Sequence, residues 1–428
     1  MVDVVVIGAG VAGLAAARAI VRAGHYVTVI EGRARIGGRI HTVHDSACPV
    51  PVELGAEMIH EASEHTKRIA RESRLALNEL DGGRWVLERG ALHEEKSFDD
   101  RLVKSLRDAF RTLRNGDDRS VADALARTKL SSKERDLATS FVEGFHAGPA
   151  GTISARALER GGAEGPGRIL RIDGGYDLLV DALAAGLGTQ IRLGRRVTGI
   201  VQRKNDVRVL MRGPTGRETE LAAKAVVVTV PLGVVRDIEF DPPLDRARHS
   251  ALDHLAMADV VKVTLRFREP FWIETKKELA KAALLLAPGA SLPTFWTARP
   301  RMAPVLVAWA GGPAAARLAE YEGARIAEEA CDSLATLIGV KPERVHDELE
   351  TFHFHDWSRD PFARGAYSYA KVGGARAAAT IAKPSGRVFF AGEHTMSSPE
   401  NATVDGAIAS GERAAREVSR QLSTSRAA

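Results

Sequence analysis

The chain is poor in cysteine: Cys48 and Cys331 are the two among 428 residues. Two thiols cannot build a disulfide framework, and such usage fits a reducing compartment. Long apolar runs are missing too, with no stretch reaching the ~18 residues of a membrane-spanning helix. Charge of one sign is not in excess, since 60 basic residues stand against 55 acidic ones. The pI near 9.2 therefore reflects a small surplus and is no footprint of nucleic-acid binding. Internal repeats and low-complexity tracts are absent, and no metal site is expected. A first strand beginning at Asp3 would leave no room for a signal or transit peptide ahead of it. These absences lead to the expectation of a cytoplasmic enzyme with neither nucleic acid nor membrane as partner. The length suits two or three domains.

What is present is concentrated first between Asp3 and Glu31. Val4-Val5-Val6-Ile7 is a short β-branched run, as in a parallel strand buried on both faces. Gly8-Ala9-Gly10-Val11-Ala12-Gly13 follows, then an Ala-rich helical pattern to about Arg22. Gly24 ends the helix, and Tyr26–Ile30 is a second strand closed by Glu31. Gly8 permits a tight turn, Gly10 lets the backbone approach a pyrophosphate, and Gly13 lets the helix pack on the sheet. Glu31, about 20 residues on, can accept hydrogen bonds from a ribose. This is a dinucleotide site; the stretch alone leaves NAD and FAD both open.

Gly32 to Arg39 (GRARIGGR) sets paired glycines between arginines, which suits a backbone passing close to an anion. Val50–Glu57 runs from a strand into Gly55-Ala56, small residues against which a flat ring can lie. A polar helical region is expected from about Glu61 to Arg135. It would hold a hairpin at Gly82-Gly83-Arg84-Trp85 and helices over Leu102–Leu113 and Val121–Leu130. Phe141–His146 falls on another helix, and Gly161–Gly167 reads as a crossing between domains. From Arg171 the pattern returns to the first domain, with a helix to Leu187 and β-rich pieces Gln190–Gln202, Val207–Met211 and Glu218–Thr229. From about Phe240 to Tyr369 a second sheet is expected. There Val261, Val263, Leu265 and Phe267 alternate with Lys262, Thr264 and Arg266, a strand with one buried face. Val305–Trp309 and His346–His355 read as strands, separated by a helix over about Ala314–Leu337. Arg387–Glu393 is a last strand, Ala402–Arg420 a last helix, and Ser423–Ala428 a disordered tail.

Taken together these pieces resemble the FAD-dependent amine oxidases: monoamine oxidases, polyamine oxidases and lysine-specific histone demethylases, as a bacterial-type single-chain member. The resemblance rests on Gly8–Gly13, Glu31–Arg39, Glu53–Glu57 (ELGAE), Lys262-Val263…Phe267…Phe271-Trp272, Trp357…Arg364–Tyr369, and Phe390–Thr395 with Ala402–Ala407. It covers nearly the whole chain. It implies an α/β (α+β) fold in which residues 1–75, 171–239 and 370–422 form a discontinuous Rossmann-like FAD domain. Residues 76–170 and 240–369 would form a substrate domain with a mixed sheet and flanking helices, and 423–428 the tail.

The resemblance also implies roles. Gly8, Gly10 and Gly13 would hold the pyrophosphate and Glu31 the adenosine ribose, with Arg33 and Arg39 along the dinucleotide. Gly55 and Ala56 would back the isoalloxazine, and Val197 would meet adenine through its backbone. Glu393 would reach the ribityl or pyrophosphate region, and Val404 would offer its N–H to the flavin N1/C2=O edge. Gly38, Glu57, Trp357, Gly392 and Thr403 complete the expected cofactor surroundings. Lys262 resembles the lysine that holds a water at flavin N5; from pattern alone it would be a solvated residue on a polar strand face. Tyr367 resembles one wall of an aromatic cage for the amine, its counterpart from monoamine oxidases being Thr403 here. Ala366 stands where covalent-flavin members carry cysteine, so the FAD is expected to be non-covalent.

The implied reaction takes a hydride equivalent from an amine's α-carbon, forms an imine that hydrolyses, and returns electrons to dioxygen as hydrogen peroxide. Distal groups would recognise a polycation. His60 and Glu61 directly follow the Gly55–Glu57 segment and Glu143 precedes Phe145-His146, so these three are candidates. Each carboxylate has a plain alternative as a solvated surface residue. A polyamine-like aliphatic amine is the favoured substrate. A monoamine or L-amino acid oxidase, a flavin desaturase or dehydrogenase, and a chromatin-type demethylase or scaffold remain as alternatives.

Overall fold

A computed structural model describes residues 2–96, 98–113, 117–159, 167–397 and 399–427. The expected crossing at 161–167 lies outside the described residues save Gly167. The nucleotide-binding unit forms because its apolar runs are buried on both sides. The strand Val2–Ile7 pairs in parallel with Val27–Ile30 on one side and with Glu218–Val228 on the other. The long strand Glu218–Val228 forks. Its first half pairs antiparallel with Val207–Arg212, and its second half pairs in parallel with Val388–Phe390. One face of this sheet packs on the helices Val11–Arg22, Asp177–Ala184 and Val404–Ala427. The other face takes Val197, Ile200 and Val209, and also Ala251, Leu252 and Leu255. Phe240 and Asp241 pair with Ile200 and Val201. The chain that builds this core therefore runs past the expected boundary at 239.

The second sheet orders the strands Leu349–Phe354, Val260–Phe267, Val305–Gly311, Thr294–Thr297, Ala282–Leu286, Gly83–Glu88 and Ala91–Glu94. It is mixed, since Ala282–Leu286 and Gly83–Glu88 are parallel and the other pairs antiparallel. Lys262 faces Trp309 in the register.

Several local expectations need correction. The glycines 82 and 83 open a strand, and the hairpin turns at Arg89-Gly90, where both residues take positive φ. The expected helix over 314–337 is two, Pro313–Ala316 and Gly323–Ile338. His346 lies on a helix, Pro342–Glu348, and the strand starts at Leu349. The expected disordered tail continues the last helix to Ala427. Its Ser, Thr, Arg and Ala residues have ordinary or good helix propensity and no glycine or proline stops them. The strand Val260–Phe267 is buried on both faces except at Arg266, because its polar side also carries protein.

Candidate active site

One cavity of about 1540 Å³ joins the two sheets. It exceeds the ~300–1,000 Å³ usual for a single small ligand, so it has room for a dinucleotide and a substrate together. At its inner end lie Gly8, Gly10, Glu31, Arg33, Gly38 and Val197. The helix Val11–Arg22 starts there with Gly10 as N-cap, no side-chain cap and no acidic residue in its first turn. Its first N–H groups are open to an anion. The glycines are required by space. A Cβ on Gly13 would lie 1.9 Å from Gly8 O, and one on Gly38 3.2 Å from Gly10 Cα. Glu31 is buried, and its carboxylate accepts from Ala9 N–H and Arg33 N–H, both at 2.8 Å. The arginines are spoken for as well. Arg33 pairs with Asp360 at 2.6 Å, and Arg39 Nη1 donates to Glu393 Oε1 and Ala366 O, each at 2.8 Å. Val197 sits at a register shift in its strand.

The middle of the cavity brings together Gly55, Ala56, Lys262, Ala366, Gly392 and Val404. A Cβ on Gly55 would meet Arg39 O at 1.9 Å and the Trp357 ring at 3.1 Å. Trp357 Nε1 donates to Leu54 O at 2.8 Å and so fixes the segment. Glu393 turns its second oxygen to the Ser368 hydroxyl at 2.7 Å. Burial raises its carboxyl, but Arg39 and the other partners outweigh burial and hold it below the usual range. Thr403 caps the last helix, accepting from Gly406 N–H at 2.9 Å. Lys262 is 5% exposed, against the solvated place its pattern alone gives it. Its Nζ donates to Glu57 Oε2 at 2.7 Å and to Gly55 O at 3.0 Å. Glu57, expected beside the cofactor, thus spends its carboxylate on the lysine.

Beyond Lys262 the wall is aromatic. Tyr367 donates its hydroxyl to Phe145 O at 2.6 Å, and burial pushes the phenol far up. Phe145 meets His60 and His146 edge-on with ring centres 5.7 and 5.2 Å away, and stacks on Phe141 at 5.2 Å. Burial pushes His146 down to about 4. Of the expected substrate carboxylates, Glu143 lines the cavity and accepts from Ala150 N–H at 3.0 Å. Glu61 also lines the cavity, but it is exposed and bound by Arg168 at 3.2 Å. The further acids Glu88 and Glu95 contact Lys133 and Arg101. Trp296, Trp309, His146 and Arg171 were not singled out by sequence. The strands Thr294–Thr297 and Val305–Gly311 show no alternation in sequence or burial, so no pattern marks the two tryptophans.

The family model described as flavin containing amine oxidoreductase matches residues 11–419. The chain belongs to the flavin-containing amine oxidases. Its cofactor is FAD and it acts on amines, as a flavin oxidoreductase. An L-amino-acid oxidase of Mus musculus is 29% identical over 96% of this chain and 70% of its own length. Polyamine oxidase 3 of Oryza sativa subsp. japonica is 30% identical over 96% and 88%. Among solved structures, wild-type putrescine oxidase bound to putrescine superposes with TM-score 0.83 at 24% identity, covering 97% of this chain and 98% of that one. Cyclohexylamine oxidase from Brevibacterium oxydans IH-35A gives 0.82 at 22%, covering 99% of each. These structures share the fold. The cavity fits FAD on its own terms, with the open helix end and glycine cradle at one end and the Gly55-Ala56 floor at the other. Ala366 lines the middle of the cavity, and neither Cys48 nor Cys331 lines it. Among the described residues no helix is long and apolar enough to cross a membrane, and no cluster of three metal-ligating side chains is found.

Proposed function

We propose that the protein oxidises an aliphatic amine, polyamine-like in reach, to an imine that hydrolyses to an aldehyde and an amine or ammonia. Dioxygen would take the electrons and leave as hydrogen peroxide, and the site of action would be cytoplasmic, in keeping with two free thiols. The carrying observation is the continuity of the cavity from the nucleotide-binding glycines past Lys262 and Tyr367 into the aromatic stretch.

FAD, when bound, supplies the two-electron oxidation. Gly8, Gly10 and the helix end would receive its pyrophosphate, with Gly13 letting the helix pack close behind Gly8; Glu31 would hold its ribose and Val197 its adenine. Gly55 and Ala56 support the ring. Val404, at the first turn of the last helix, presents its N–H where negative charge gathers on reduction. Tyr367 acts by shape: its phenol is pinned to Phe145 O and stays neutral. Thr403, spent on capping, closes less space than an aromatic ring, which leaves room for a secondary amine or a long chain. A reacting amine must be neutral, and Phe141, Phe145 and Trp309 favour that form by desolvation. His146, kept neutral by burial, flanks it without repelling it, and His60 lines the same wall. At the remote end Glu143 is the candidate anion, with one carboxylate oxygen beyond its bond to Ala150. Glu61 is neutralised by Arg168.

Anaerobic addition of spermidine, spermine, N-acetylated polyamines, putrescine, benzylamine and L-amino acids to the purified flavoprotein tests this. Aliphatic amines should bleach the flavin fastest, with peroxide appearing on readmission of air. Bleaching by arylalkyl monoamines or L-amino acids alone would overturn the substrate assignment.

A further inference from the structure

The Glu57–Lys262 contact belongs to a larger arrangement that the proposed function does not need. Glu57 follows the Gly55-Ala56 floor and is 11% exposed at its side chain; Lys262 is 4% exposed. Trp296 Nε1 donates to Glu57 Oε1 at 3.1 Å. Arg171 Nη2 lies 2.8 Å from the same oxygen, off the N–H direction, so that contact is an ion pair rather than a hydrogen bond. Arg171 is itself fixed through Nη1 to Thr297 O at 3.0 Å and Arg299 O at 3.2 Å. The Lys262 ammonium also stands 5.6 Å from the centre of the Trp296 ring. The carboxylate is therefore gripped from three elements: the strands Val260–Phe267, Ile169–Ile172 and Thr294–Thr297.

We propose that Glu57 is the positioning residue for Lys262, anchoring its ammonium between the carboxylate and Gly55 O so that a fixed positive charge borders the floor on which the flavin ring rests. The inference rests on the reading that places Gly55 and Ala56 behind that ring. A buried cation without a counter-ion is costly, and a mobile lysine would lose its aim at the floor. Glu57 removes both problems. Burial raises its carboxyl, but Lys262 and Arg171 outweigh burial and keep it below the usual range. The charged groups facing the pair are Arg171, at Glu57, and Glu53, whose carboxyl feels both Lys262 and Glu57. A carboxylate aimed this way holds Lys262 Nζ to one direction, with Gly55 O as its second acceptor.

The test uses the FAD-loaded full chain without substrate. The flavin visible spectrum and midpoint potential are followed from pH 6 to 10 in wild type, Glu57→Gln, Lys262→Met and the double variant. Loss of the Glu57 charge by itself offsets the potential equally at every pH. If Glu57 acts through Lys262, Glu57→Gln instead adds a pH-dependent transition, because an ammonium left near Arg171 without its counter-ion gives up its proton more readily. That transition should vanish in the double variant. Glu57→Asp, which keeps the charge, should show less of it and covers the case in which Glu57→Gln does not hold FAD. A uniform offset in both backgrounds, or an unchanged spectrum in Glu57→Gln, overturns the proposal. Bleaching by amines is scored separately on the same proteins, so failure of the substrate reading leaves this result interpretable. With an active substrate, Glu57→Gln should lower kcat on the order of 10–100-fold, as for a misplaced reacting group.

Discussion

Single residues in this protein are judged by what they touch, and Lys262 is the sharpest case. Its sequence neighbours make it one of three polar residues on a strand, and pattern alone puts it in water. The partner that changes this lies 205 positions away, a distance over which periodicity carries no information. Gly13 was legible for the opposite reason: its requirement is local, since a Cβ there would strike Gly8 O, five residues off. Lys262→Met should cost on the order of 10²–10³ in kcat while leaving FAD bound, checked by kinetics and flavin content. Glu53 gives a pH prediction. Burial pushes its carboxyl up to about 7 from 4.5, despite bonds from Thr42 and Tyr176 N–H. The folded state thus prefers it protonated. Its contribution is fully present below about pH 4.5 and is lost as pH rises through about 7. Glu53→Gln, which mimics the protonated shape, should be more stable than wild type at pH 8 by about 1–3 kcal/mol and similar at pH 5, measured by urea unfolding. An equal difference at both pH values would remove Glu53 as the cause.

At the scale of elements, the parallel strands and the first helix were readable because burial on both faces writes itself as continuous apolar runs. The hairpin was placed too early because Gly82-Gly83 looks like a turn. Yet a Cβ on Gly82 would lie 2.5 Å from Lys281 O, so that glycine serves close strand approach instead. The break between the two helices had one mark in the sequence, Gly323, which begins the second of them. The packing of the first and last helices depends on Gly411, where a Cβ would come 2.1 Å from Ala12 O. Gly411→Ala should therefore push the helices apart and destabilise by about 1–3 kcal/mol, seen as a lower Tm. An unchanged Tm would mean the helices shift freely. Tyr367→Phe removes the bond to Phe145 O but keeps the ring. It should cost about 1 kcal/mol of stability and change KM only a few-fold, whereas Tyr367→Ala should raise KM strongly.

At the scale of the whole molecule, the cavity is a seam. Its walls come from both sheets, so a ligand that fills it holds them together. Binding to the folded state alone stabilises by about 4 kcal/mol at a thousandfold excess over Kd. Removal of FAD should accordingly lower Tm by several degrees, and added FAD should restore it; a Tm indifferent to FAD would mean the sheets are fixed without it. The family itself was legible because its motifs are spread over nearly all of the chain. The substrate was not, because of the two candidate acids Glu61 is paired with Arg168 and Glu143 gives one oxygen to Ala150 N–H, contacts that sequence order does not reveal.

The forked strand Glu218–Val228 has a consequence for synthesis. One edge of Val226–Val228 waits for Val388–Phe390, and the cavity wall is not closed until Ala407 is added. A ribosome adding ~5–20 residues per second needs roughly 20–80 s to reach that strand. During this time the glycine loop at the N-terminus is already outside but has no complete site to offer. The cofactor therefore stabilises this fold only after most of the chain has been made, and until then one edge of Val226–Val228 stays unpaired.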